Sequence, residues 1–81
     1  MRFSGLITTV TRPLKVQIKG KDYEFLGDNN RMIVKVKEGL FVILGTGKTV
    51  KGEFENCSEE LLYVEGEEIP LKSIIFIGKL C

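Results

Sequence analysis

The chain has 81 residues, of which 43% are apolar and 28% charged, and a formal net charge of +1. A chain this short buries only about 60–65% of the surface its unfolded form exposes, which excludes a multidomain enzyme, a doubly wound nucleotide fold and a solenoid. It contains no Ala, Trp or His: without His it lacks the commonest general base and metal ligand, and the absence of Ala beside abundant Val, Ile, Lys, Glu and Gly points to β-structure.

The dominant period along the chain is two. Leu14, Val16 and Ile18 alternate with Lys15, Gln17 and Lys19, the pattern of a half-buried strand. Gly20–Lys21 reads as a tight turn, after which Tyr23 and Phe25 alternate with Asp22 and Glu24. Residues 14–26 are therefore predicted to form a β-hairpin. Gly27-Asp28-Asn29-Asn30 has turn chemistry, because Gly, Asp and Asn tolerate unusual backbone angles. Met32, Val34 and Val36 then alternate with Arg31, Lys35 and Lys37 in a strand ended by Glu38–Gly39.

The run Leu40-Phe41-Val42-Ile43-Leu44 is continuously apolar, as in a central strand covered on both faces. Gly45-Thr46-Gly47 turns the chain. Val50, Gly52 and Phe54 share one face of the next strand, and the interior Gly52 implies a sharp bend or a close backbone approach. Asn56-Cys57-Ser58-Glu59 is read as a turn, Leu61–Glu65 as a strand, and Pro70-Leu71-Lys72-Ser73 as a single helical turn. Ile74–Ile77 is the last strand, apolar on both faces. Some seven short strands joined by Gly-marked turns predict an all-β fold, a small β-barrel or sandwich.

Two cysteines, Cys57 and Cys81, are too few for a disulfide framework. Neither lies in a CxxC spacing, so no metal site and no cofactor is expected. Met1–Val10 lacks the features of a secretory signal, and no apolar stretch reaches 18 residues. A cytoplasmic protein with no membrane partner is the resulting expectation. The charge is unevenly spread. Residues 1–38 hold eight basic and four acidic residues, a balance of +4, and residues 39–81 hold four basic and seven acidic, a balance of −3. Such a chain can offer a cationic surface to a polyanion or pair with copies of itself.

Residues 40–77 resemble the Sm-like (Sm/Hfq-type) small β-barrel family. The first likeness is Val42-Ile43-Leu44 followed by Gly47-Lys48-Thr49-Val50-Lys51-Gly52-Glu53-Phe54. The second is Ile69-Pro70-Leu71-Lys72-Ser73-Ile74-Ile75-Phe76-Ile77, a short strand, a one-turn helix and a closing strand. The resemblance implies one domain, with residues 39–81 as an Sm-like barrel core and residues 1–38 as a basic β-hairpin extension. It also implies a homo-oligomer, since such barrels form rings through edge strands, and the apolar last strand is expected to have an open edge; the alternative is a monomer whose extra N-terminal strands cap that edge. Where Sm proteins usually carry Asp-x-Met-Asn, this chain has Ser58-Glu59-Glu60-Leu61-Leu62. Lys72 and Asn56 are the polar candidates left in those loops.

The remaining binding candidates are Lys15, Lys19, Lys21, Arg31, Lys35 and Lys37. Alternation places Lys15 with Lys19, and Arg31 with Lys35 and Lys37. Tyr23 lies in the same region and could stack a base. With no His, no nucleophile elbow and no Cys beside a base, the chain is not expected to be an enzyme. The leading expectation is a non-enzymatic, oligomeric small barrel that binds nucleic acid or a nucleotide through its basic surface. The alternative is a protein-interaction module, since Glu68–Ile74 also looks like the close of a Src-homology-3-type (SH3-like) barrel. A phage-type accessory protein that blocks a host factor or sequesters a signalling nucleotide is a third class.

Overall fold

The computed structural model describes residues 2–8, 14–27 and 30–81. The predicted turn at residues 27–30 therefore lies partly outside the described residues. The described strands are β1 (Phe3–Thr8), β2 (Lys15–Lys19), β3 (Asp22–Leu26), β4 (Arg31–Val34), β5 (Gly39–Leu44), β6 (Thr49–Cys57), β7 (Leu61–Val64), β8 (Glu67–Pro70) and β9 (Ile74–Leu80). One turn of 3-10 helix, Leu71–Ser73, joins β8 to β9. The fold is all-β, and every strand pairing is antiparallel.

The strands make two sheets, one in the order β1-β9-β5-β6-β7-β8 and one in the order β2-β3-β4. Neither closes on itself: β1 and β8 are the outer strands of the first, β2 and β4 of the second. The long strand β6 is shared between two ladders. Its residues 49–53 pair with β5 and its residues 54–57 with β7, with a bulge between Phe54 and Asn56. A bulge and a small residue are the ordinary means of bending a strand, and here Gly52 precedes the change of partner. The approach at Gly52 comes from Glu65, whose side chain occupies the space that a Cβ would need.

The hairpin predicted for residues 14–26 is present as β2 and β3 around Gly20–Lys21. Gly20 takes φ +64, the left-handed region where Gly costs nothing and other residues are strained. Ile18, placed on the buried face by alternation, is 68% exposed near the tip of the hairpin. The strand expected to run from Arg31 to Lys37 stops at Val34. Lys35 begins a turn in which its own N–H donates to Glu38 Oε1 at 2.7 Å and its carbonyl accepts the Glu38 N–H. Lys37 takes φ 79, so the alternation ends there.

The last strand does not have an open edge. β9 is paired on one side with β5 and on the other with β1, from Phe3↔Leu80 to Thr8↔Phe76. The period-two reading did not predict β1. A register shift between Phe3 and Gly5 breaks its alternation, so Leu6 and Ile7 take the roles that an unbroken period would exchange. β5 is central, as expected, but only its inner residues Leu40 and Val42 are fully covered; Phe41 and Ile43 on the other face are half-buried.

One apolar core joins the two sheets. Ile7, Leu14, Phe25, Met32 and Val34 pack in the same cluster as Leu40, Val42, Phe54, Leu62 and Ile77. Tyr23 and Phe25 place their rings edge-on to Phe54, at centroid distances of 5.0 and 5.8 Å. Polar ties reinforce the join: Lys79 Nζ donates to the Ile33 carbonyl at 2.9 Å and lies 3.3 Å from Glu38 Oε2. Asn30 Nδ2 donates to the Leu6 carbonyl at 2.7 Å.

Candidate functional site

The strand register decides which of the basic residues meet. Lys15 lies opposite Leu26, Lys19 opposite Asp22, and Leu26 opposite Arg31. Side chains directly opposite one another share a face. Lys15, Lys19 and Arg31 therefore project from the outer face of the β2-β3-β4 sheet, with Lys21 exposed at the hairpin tip. That face is not uniformly cationic. Asp22 and Glu24 belong to it, and Glu24 is 6% exposed at its centre, between Gln17 and Ile33. Lys19 Nζ stands 3.4 Å from Glu24 Oε1 and compensates that covered charge. Lys35 and Lys37 are exposed on the β4–β5 turn.

Tyr23 is not on the lysine face. Its register partners Ile18 and Val34 place it on the inner face. Its hydroxyl donates to Asn56 Oδ1 at 3.1 Å, and the same oxygen accepts the Cys57 N–H at 2.8 Å. Tyr23 and Asn56 thus meet as a tie between β3 and β6. Cys57 follows on the core side, and its thiol pKa is pushed up to about 11 by burial, which keeps it a protonated, inert thiol. Cys57 and Cys81 are both free.

Lys72 stands apart from the other candidates and lines a groove of about 410 Å³. Leu14 and Leu71, both buried, and the half-buried Leu61 give it an apolar floor. Pro70, Glu59, Glu60 and Lys72 are its exposed margins. Local chemistry fixes its walls. The Ser58 hydroxyl accepts the Leu61 N–H at 3.1 Å, and the Ser58 N–H donates to the Leu61 carbonyl at 2.8 Å, closing the β6–β7 turn. The Leu71 N–H donates to the Glu60 carbonyl at 2.9 Å, so the 3-10 turn is hung from the acidic loop. Pro70, with φ −63, leads into that turn, the angle its ring prefers.

The groove has the size and make-up of a small ligand site: an apolar floor with a few polar groups at its edge. Its carboxylates can hold a cation while the floor takes an aliphatic side chain. The sequence pointed to Lys72 but placed Glu59 and Glu60 only in a turn or in the stretch that stands where Sm proteins carry Asp-x-Met-Asn. The signal that identifies them is spatial, because Leu14 and Leu71 meet only after the chain has folded. Among the described residues, no group of three or more His, Cys, Asp or Glu side chains is arranged to hold a metal ion, and no helix is long and apolar enough to cross a membrane. Set against known protein families, curated proteins and solved structures, the chain matches none.

Proposed function

We propose that this protein is a non-enzymatic binding module whose groove takes a short peptide segment carrying an aliphatic side chain next to Lys or Arg. The observation that carries this reading is the groove itself. Leu14, Leu61 and Leu71 offer apolar surface in a groove that Glu59 and Glu60 also line. The resemblance of β5–β9 to a small barrel of the Sm or Src-homology-3 type belongs to the same reading. Its support is the order of the elements: four strands in meander, one 3-10 turn, and a last strand that returns to pair with the first.

The test is calorimetry with synthetic peptides that pair Leu with Arg, against versions with Leu→Ala or Arg→Glu. The double variant Glu59→Lys, Glu60→Lys should weaken the Leu-Arg peptide at least tenfold, about 1.4 kcal/mol, with the melting temperature held. Lys72→Glu should strengthen it. Equal binding of the acidic peptide, or no binding of any peptide at about 1 mM, would refute the reading.

A second reading has its own observation. Lys15, Lys19 and Arg31 share a sheet face and Lys21 crowns it, within a segment whose balance is +4. That face suits a nucleic-acid backbone or nucleotide phosphates more than it suits bases, because Tyr23 is turned inward. Asp22 and Glu24 reduce its field.

A further inference from the structure

The face of the large sheet that points away from the core is largely apolar over β1, β9 and β5. Register places Leu6 and Phe41 on either side of Gly78, and Ile43 opposite Phe76. Phe3, opposite Leu80, lays its ring over Gly78, in space that any Cβ there would occupy. Phe3, Phe41 and Phe76 form a triangle of tilted and edge-on rings with centroids 5.5–6.2 Å apart. All three are only half-buried, and Leu6 is 45% exposed. Contiguous apolar surface of this kind marks an interaction site on a small domain.

The bordering row of β6 says what covers it. Thr49, Lys51 and Glu53 lie opposite Ile43, Phe41 and Gly39 and share their face. Lys51 and Glu53 are therefore neighbours of opposite sign on the rim. Among the described residues neither side chain has an ion-pair partner. A two-fold interface uses the same patch on both copies, so the patch must complement itself. This one does. Suppose a two-fold axis lies in the interface, crosses the strands at right angles, and passes between the Phe41–Lys51 row and the Gly39–Glu53 row. It then sets Lys51 of each copy against Glu53 of the other, and Phe41 against Gly39, large against absent. A nucleic acid would need more than one cation beside the rings, and among the described residues register places only Lys51 on that face.

We infer that this face, centred on Phe3 and Phe41 with Phe76 at its margin, is the interface of a symmetric homodimer in which two large sheets pack face to face, with Lys51 of one copy pairing with Glu53 of the other. The inference is independent of the groove, which lies on other elements.

Sedimentation equilibrium of the full-length chain tests it. The wild type should dimerise, and Leu6→Lys should be monomeric at concentrations where the wild type is paired. Lys51→Glu and Glu53→Lys should each weaken the dimer at least tenfold, while an equimolar mixture of the two, or the double variant, should restore it. All three substituted positions, Leu6, Lys51 and Glu53, are exposed, and circular dichroism and melting of each variant should match the wild type. A wild type still monomeric at about 1 mM, a dimer indifferent to both charge reversals, or a mixture that stays monomeric would each overturn the inference.

Discussion

Cys57 closes β6 with its thiol against the core and its Sγ 3.3 Å from the Ser58 carbonyl oxygen. Burial lifts its pKa from 9.0 to about 11. Between those values the folded chain keeps a proton that the unfolded chain has lost, so stability falls as pH rises through that window. Thermal melts at pH 8 and pH 11 should show a smaller loss in Cys57→Ala than in the wild type, and a thiol reagent should reach Cys81 but not Cys57 in the native protein. An equal loss in both chains would remove Cys57 from the account. Cys57, read in the sequence as a turn residue, is the buried last residue of β6. The side taken by Tyr23 was not legible in the sequence, because an aromatic residue in an alternating strand suits either a core or a ligand face. What decides is the Asn56 oxygen on another strand, 33 residues away. Glu24 is a similar case: alternation puts it outside, and its neighbours on that face then cover it.

At the scale of elements, the sheet depends on β1. Ile7 is fully buried, and β1 occupies the edge of β9 that would otherwise be free. Ile7→Ala should cost about 2–4 kcal/mol, a large part of the margin of a domain this small, read as a fall in the urea midpoint. A shift below about 1 kcal/mol would mean that β1 is peripheral. The elements that the sequence made plain are those with local signals: the β2–β3 hairpin with its glycine turn, the apolar β5, and the proline-led 3-10 turn before β9. β1 escaped because its bulge spoils the period over its first three residues. The early end of β4 escaped because Val36 and Lys37 continue the alternating letters while the backbone turns. That turn is held by tertiary bonds, from the Lys37 N–H to the Phe54 carbonyl and from the Phe54 N–H to the Glu38 carbonyl, each 2.8 Å.

For the whole molecule, the opposed charge balances of the two segments make ionic strength a discriminating variable. If phosphates bind the lysine face, affinity for a single-stranded oligonucleotide should fall steeply between 50 and 200 mM salt. Lys15→Glu with Arg31→Glu should abolish it without altering peptide binding in the groove. Salt-insensitive binding would remove the second reading. The sequence carried the all-β class and the asymmetry of charge, but not the two open sheets, the groove or the aromatic face. Each of these is assembled from strands far apart in the chain, and no window of neighbouring residues contains it. The pairing of β1 with β9 has one more consequence. It zips residue 3 to residue 80, and beyond them the Cys81 N–H donates to the Arg2 carbonyl at 3.2 Å. During synthesis the first strand must wait, unmatched, until the final one leaves the ribosome, so folding is late and slow for the length of the chain. The same adjacency makes the protein a natural subject for circular permutation: a brief bridge from residue 81 back to residue 2, with new ends cut at the Gly47 bend, would leave every ladder in place.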